Sequence, residues 1–251
     1  MIDETTLAGL GWRFNDSVEN ENRIKPLCQE IEKHFQLPSL RLLRFFAVTD
    51  YPELSFFGNY RGFHASYSAN CFSPFPMDVF KSFYPQFSEG ISRERIFDNV
   101  IYIRASTCSE NTGLVLTYAH ELQHFVQYGT LPRLHHVNGI LYWNLKSVEP
   151  TAIATDVPNE RDANIVSKRV AEIVCGSDAV QEFANTQINK MMQLAGEYRE
   201  RDRWIFFRDV SSTAPYDWVS DTLRLVEKYN GQIDFRIDMN RPDWWLGPLE
   251  L

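Results

Sequence analysis

The sequence is poor in cysteine, and its four cysteines are widely scattered. Cys28, Cys71, Cys108 and Cys175 form no C-x-x-C pair, which is the spacing that structural zinc sites and redox motifs commonly use. We therefore expect reduced thiols, with two disulfide bridges as the open alternative. Reduced cysteines favour a cytoplasmic protein over a disulfide-stabilised secreted domain.

Long apolar runs and basic clusters are missing as well. No segment approaches the roughly 20 apolar residues of a membrane helix, and the first six residues are acidic where a signal peptide would be basic. The net charge is −8, whereas a nucleic-acid grip needs a basic face. We therefore expect a cytoplasmic protein with neither a membrane nor a nucleic acid as its partner.

The chain does contain an H-E-x-x-H pentapeptide, formed by His120, Glu121 and His124. On a helix, residues four apart lie on one face, about 5–6 Å apart at Cβ. Two imidazoles at this spacing can bind one metal ion, and Zn²⁺ is the usual choice. Glu121 lies a single residue's rotation around the helix, where it can accept a proton from water. The motif therefore predicts a hydrolase with one Zn²⁺ per chain.

The surrounding residues favour a helix for the pentapeptide. Residues 107–128 contain no proline, Thr107 and Glu110 fit a capping box, and Gly129 stands where a helix would end. An apolar stripe recurs at helical spacing in Val115, Ala119, Leu122 and Val126. We predict a half-buried helix of about twenty residues.

A catalytic zinc site needs a third protein ligand and an open position for water. Glu160 is the best candidate, in a second helix predicted to start near Pro158 and to run to about Cys175. Asn164, one turn later, can reach a ligand histidine and fix its tautomer. Other ligands stay open, namely Asp156, Asp162 and the pair His135-His136.

The pentapeptide together with Asn159-Glu160-x-x-x-Asn164 resembles the gluzincins, the thermolysin-like zinc peptidases. This resemblance covers residues 99–175. It implies that His120, His124 and Glu160 bind zinc and that Glu121 is the general base. Asn164 departs from the family, which has an aspartate there, so its amide adds no negative charge. The Glu-Arg-Asp-Ala-Asn run is also similar to that of small regulatory peptidases that cleave repressors of mobile elements.

Peptide hydrolysis also needs a donor for the tetrahedral oxyanion. The sequence leaves five candidates open, which are Tyr118, His135, His136, Tyr142 and Arg161.

The rest of the pattern predicts the architecture. Strand-like runs lie at 43–48, 54–57 and 99–105, an aromatic irregular segment at 60–87, and helices at 24–35, 178–198 and 216–229. The last strand is expected at a sheet edge, where a peptide can pair, although an internal strand is an equal alternative. Tryptophans are expected to dock the segment 241–248.

These elements predict an α+β, zincin-like fold, with a small mixed sheet, an active-site helix and a helical C-terminal half. We expect a single domain over residues 1–251, with lobes 1–106 and 107–251 flanking a metal cleft as an alternative. The expected function is a zinc-dependent metallopeptidase acting on a peptide or protein substrate. A metal-dependent deacylase and a non-catalytic, metal-stabilised regulatory protein remain the alternatives.

Overall fold

The computed structural model describes residues 12–14, 18–40, 42–46, 62–66, 99–103, 107, 110–193, 198–238 and 241–246. The predicted strand at 54–57 and most of the aromatic segment at 60–87 lie outside these residues. The chain divides into two compact units, Met1–Phe125 with Leu251, and Val126–Glu250. Each unit is described by itself.

The first unit contains a four-stranded sheet. Its elements are β1 (Trp12–Phe14), α1 (Val18–Glu32), β2 (Leu42–Phe46), β3 (Gly62–Ser66) and β4 (Asn99–Ile103). The strand order is β1-β2-β4-β3; β1, β2 and β4 are parallel, and β3 is antiparallel to β4. Since β4 pairs with a strand on each side, the prediction that it forms a peptide-binding edge is wrong.

Alternation and helical spacing explain which residues of this unit are buried. Ile101 and Ile103, two residues apart on β4, are fully buried, as expected for one face of a strand. On α1, Ile24, Cys28 and Ile31 follow one another at spacings of four and three and are buried in the same way.

The remaining elements are helical. They are α2 (Asn111–Thr130), α3 (Pro132–Val148), a 3-10 turn (Ala154–Asp156), α4 (Pro158–Cys175), α5 (Ser177–Met192), α6 (Tyr198–Asp209) and α7 (Trp218–Tyr229). The boundary between the units falls inside α2, after Phe125. None of the described helices is both long and apolar enough to cross a membrane.

The prediction of an α+β, zincin-like fold is wrong. Helices make up most of the described residues, and the fold is not a mixed α+β zincin fold. The strands are only three to five residues long. The runs of β-forming residues that suggested a mixed fold are short, whereas helical spacing persists over most of residues 111–229.

Helix α2 confirms the predicted helix but not its ends. The helix begins at Asn111 and ends at Thr130, so the predicted capping box at Thr107 and the predicted stop at Gly129 are wrong. Leu131 is already the N-cap of the next helix, whose first residue is Pro132. A proline disfavours helical backbone in the residue before it, and this explains the break after Thr130 better than Gly129 does.

The core of the second unit is built around α3. Leu134, Val137, Leu141 and Leu145 are buried at helical spacing and pack with residues of α7 and the C-terminal segment. Trp244 is 8% exposed in this core, and its carbonyl oxygen accepts a hydrogen bond from Arg133 at 3.2 Å. Docking of the C-terminal segment by a tryptophan is therefore confirmed.

Two thiols of the described chain fit the expected redox state. Cys28, fully buried on α1, and Cys175, the last residue of α4, are not in disulfides. Cys71 and Cys108 lie outside the described residues. The arrangement of these two residues agrees with reduced thiols, and the redox state of the four cysteines stays a prediction.

Replacing two glycines by alanine is predicted to change the free energy of unfolding in opposite directions. Gly176, between α4 and α5, has φ 88° and ψ 147°, a conformation nearly confined to glycine. We expect Gly176→Ala to lower the free energy of unfolding by about 1–3 kcal/mol. Gly139, exposed inside α3, has nothing within 4 Å of an added Cβ, so Gly139→Ala should raise it by about 0.5–1 kcal/mol. Urea unfolding of both variants checks the signs; equal effects would contradict the backbone argument.

Candidate metal centre

Helix α2 brings the two histidines of the pentapeptide together. The Nε2 atoms of His120 and His124 lie 3.1 Å apart, and the ring planes are nearly perpendicular at 85°. Both residues are 7% exposed. Two imidazoles bound tetrahedrally to zinc at 2.0–2.1 Å have nitrogens about 3.3 Å apart. The pair therefore has the separation that a shared metal ion requires.

Glu160 completes the group from the first turn of α4. Ligand atoms of His120, His124 and Glu160 all lie within 4.8 Å of one another. Two imidazole nitrogens and one carboxylate oxygen form a donor set that zinc accepts in catalytic sites. These three residues can therefore hold a metal ion.

Buried hydrogen bonds hold the residues on either side of Glu160. The side-chain amide of Gln127, near the end of α2, donates to the Asp162 carboxylate at 2.8 Å and to the Asn159 carbonyl oxygen at 3.0 Å. The backbone N–H of Asn159 donates to the Asn138 side chain on α3 at 3.2 Å. The first turn of α4 is thus fixed by both α2 and α3.

Gln127 is the residue that sequence reasoning missed. One class of zinc peptidases extends the pentapeptide to H-E-x-x-H-x-x-G-x-x-H, and Gln127 stands where that motif has its glycine. It follows His124 by three residues and His120 by seven, so all three lie on one face of the helix. A polar side chain on the helix face that carries both histidines is the feature of the sequence that could have identified Gln127.

The acidic rivals of Glu160 are engaged elsewhere. Asp162 accepts the hydrogen bond from Gln127, and Asp156 accepts one from the backbone N–H of Ile153 at 2.8 Å. Among the described residues, the metal-competent group contains neither of them. The structure therefore brings Glu160 to the histidines and leaves both aspartates out.

Asn164 lies where the sequence places it, one turn after Glu160 on α4, and it is 4% exposed. Its side-chain nitrogen donates to the carbonyl oxygen of Glu160 at 2.7 Å, and its own carbonyl oxygen accepts from Ser167 at 3.0 Å. These bonds tie Asn164 to its own helix. Its contact with a ligand histidine stays a prediction.

Tyr118 is an unsuitable oxyanion donor, although it lies two residues before His120. It is fully buried, its hydroxyl donates to Glu32, and it accepts from Arg44 at 3.0 Å. Burial raises the pKa of Tyr118 well above its usual value. The phenol is therefore a neutral part of a polar cluster on α1, β2 and α2.

The other candidate donors remain open. His135 contacts the ring of Tyr128 edge-on, with centroids 5.9 Å apart. Burial and the nearby Arg236 lower the pKa of His136, so its imidazole is neutral at pH 7. Tyr142 lies edge-on against the neighbouring Trp143, and the guanidinium of Arg161 lies over two aromatic rings. None of these contacts selects one residue as the donor.

Comparison with known proteins gives no family for the chain. No family model matches it, and neither a curated protein nor a solved structure does.

The bonds of Gln127 lead to a prediction about stability. We expect Gln127→Leu to lower the free energy of unfolding by about 2–3 kcal/mol, because a buried carboxylate and a buried carbonyl both lose a donor. Zinc affinity should fall as well, since the turn that carries Glu160 is loosened. Urea unfolding and zinc competition measure the two effects.

The same substitution at the exposed Gln193, just after α5, is the matched control. A surface change of this kind should alter the free energy of unfolding by no more than about 0.5 kcal/mol. Equal stability of Gln127→Leu and the wild-type chain would show that the two hydrogen bonds do not hold the turn.

Proposed function

We propose that the chain is a zinc-dependent metallopeptidase in which His120, His124 and Glu160 hold one Zn²⁺. The observation that carries the proposal is the convergence of two imidazoles and one carboxylate within 4.8 Å. Three protein ligands leave a fourth position of a tetrahedral ion for water or substrate, which is the pattern of catalytic rather than structural zinc. Manganese, cobalt and nickel also accept such nitrogens and oxygens, so zinc is part of what is tested.

Glu121 is proposed as the general base. It lies beside His120 on α2 and is 7% exposed. When bound, zinc supplies a Lewis acid that makes water a nucleophile near neutral pH and polarises the substrate carbonyl. The Glu121 carboxylate accepts the proton of the attacking water and passes it to the leaving nitrogen. His120 and His124 are proposed as metal ligands only.

The proposed likeness to gluzincins is confined to the motif. The spacing of the two histidines and the helical position of Glu160 agree with that pattern, while the zincin fold is not part of the proposal. The substrate is proposed to be a peptide or protein, because the general base and the ligand set suit hydrolysis of an amide bond.

Removal of single ligands tests the metal site. We expect His120→Ala and His124→Ala to lose zinc. Glu160→Ala should lower the zinc affinity roughly tenfold or more, because loss of a residue that only supports a metal ligand already lowers it about 10–100-fold. Plasma mass spectrometry of untagged protein gives the zinc content, and chelator competition gives the affinity.

Asp156→Asn is the control for this series, because it alters a nearby acid that is outside the group. It should keep about one zinc per chain, as a full three-ligand site does. Unchanged zinc affinity in Glu160→Ala would remove Glu160 from the site. Absence of zinc in the wild-type protein after reconstitution would refute the metal centre.

The role of Glu121 is separable from metal binding. We expect Glu121→Gln to keep its zinc and to hydrolyse peptides about 10²–10⁴-fold more slowly, because the amide cannot take a proton from water. Mass spectrometry of a digested peptide library measures turnover, with Glu110→Gln, an exposed change just before α2, as the control. Loss of zinc in Glu121→Gln would contradict its assignment as base, and zinc without turnover in the wild type would favour a non-catalytic role.

A further inference from the structure

Arg161, the residue after Glu160 on α4, lies in an unusual environment for a cation. Its guanidinium carbon is 5.1 Å from the ring centre of Phe206 and 5.7 Å from that of Tyr216. Its buried Nε has no hydrogen-bond partner among the described residues. A guanidinium is always charged and carries five N–H donors, and a buried donor without an acceptor destabilises the fold.

The charges of two carboxylates, Asp162 and Asp221, act on this cluster, but neither accepts a hydrogen bond from Arg161. Asp162 accepts from Gln127, and Asp221 accepts from Arg224 at 2.9 Å. Burial, followed by the charge and hydrogen bond of Asp221, raises the pKa of Tyr216, so this phenol stays protonated. The cluster therefore holds a guanidinium whose neighbouring acids are bonded to other groups.

Two more buried polar atoms, in the 3-10 turn and the first turn of α4, have no hydrogen-bond partner within the described part of the chain. They are the hydroxyl oxygen of Thr155, which is 1% exposed, and the side-chain oxygen of Asn159, which is 6% exposed. Thr155 belongs to the 3-10 turn, which packs against both α4 and α6, and α6 carries Phe206. Val157 is the N-cap of α4, and no described side chain caps this N-terminus.

We propose that Arg161 binds the carboxylate of a ligand, with the Thr155 hydroxyl as a second donor. A guanidinium matches a carboxylate with two parallel hydrogen bonds, and the aromatic faces hold it in place without using its N–H groups. The ligand is a monoanion, because Arg161 is the one cation of this described cluster with a buried, unpartnered N–H. Arg224 is already bonded to Asp221, and the Asp162 carboxylate repels further negative charge. The lone acceptor on Asn159 suits an N–H of the same ligand, as in an N-acylated amino acid or the end of a peptide.

This site specifies a substrate class for the metal centre. Glu160 and Arg161 are consecutive on α4, so a ligand held at Arg161 is bound one residue along the helix from the proposed metal ligand, on a side about 100° around the helix axis. The substrate would then be a peptide with a carboxylate near the bond that is cut. This consequence rests on the proposed function, whereas binding of the carboxylate does not.

A pair of ligands that differ in one group tests the site. N-acetyl-leucine and N-acetyl-leucinamide have the same shape, but only the first has a carboxylate. We expect the zinc-loaded, full-length chain to bind the acid at least about tenfold more tightly than the amide in calorimetric titrations, the scale of one charged hydrogen bond. Arg161→Gln should abolish this preference. Arg169→Gln, on the same helix, should retain it, because Arg169 already donates to the carbonyl oxygen of Ser212.

A carboxylate bound to the metal would also favour the acid, so His120→Ala separates the two explanations. We expect the preference to persist in this variant, and its loss would overturn the proposal. Equal binding of acid and amide by the wild-type chain, or an unchanged preference in Arg161→Gln, would overturn it as well.

Arg161→Lys is the conservative control in case Arg161→Gln fails to fold, and circular dichroism shows whether each variant is folded. Arg161→Lys keeps the charge but not the paired hydrogen bonds, and we expect it to lose most of the preference; full retention would contradict bidentate binding. If the wild-type chain binds N-acetyl-leucine but hydrolyses no peptide, the proposed function is refuted and the carboxylate site is retained.

Discussion

The candidate site depends on one buried amide. Gln127 on α2 makes two hydrogen bonds to residues that flank Glu160 on α4. Because α2 is one continuous helix, fixing its last turns also fixes the rotation of His124 and His120, three and seven residues earlier on the same face. The amide thereby fixes the turn that presents the Glu160 carboxylate. Its burial makes loss of either bond expensive.

The polar contacts continue from this amide into the core of the second unit. Asn138 accepts from the backbone of Asn159, donates to the carbonyl oxygen of Leu134, and donates to the hydroxyl of Thr222 on α7. Apolar burial around α3 supplies most of the driving force for packing, but it tolerates sliding of one helix along another. A satisfied polar network permits fewer arrangements. We infer that the network sets the register of α4, and apolar contacts stabilise it.

Local patterns in the sequence predicted the elements of the site better than the fold around them. Spacing alone places His120 and His124 on one helical face and Glu160 at the start of another helix. The predicted α+β fold class is wrong because helices make up most of the described residues, whereas the runs of β-forming residues give strands of only three to five residues. Helix α6 was missed because its sequence has no apolar stripe. The partners of Gln127 and the aromatic neighbours of Arg161 could not be predicted, since they depend on which helices meet.

The first turn of α4 carries opposite charges at adjacent positions, and helix geometry explains how both are used. Consecutive residues point about 100° apart, so Glu160 and Arg161 do not face each other. The positive end of the helix dipole favours the Glu160 anion and disfavours the Arg161 cation. Two aromatic faces offset part of that penalty, yet the buried N–H at Nε has no acceptor among the residues that the structure describes. An incoming carboxylate would remove both defects at once, because it supplies the acceptor and the opposite charge.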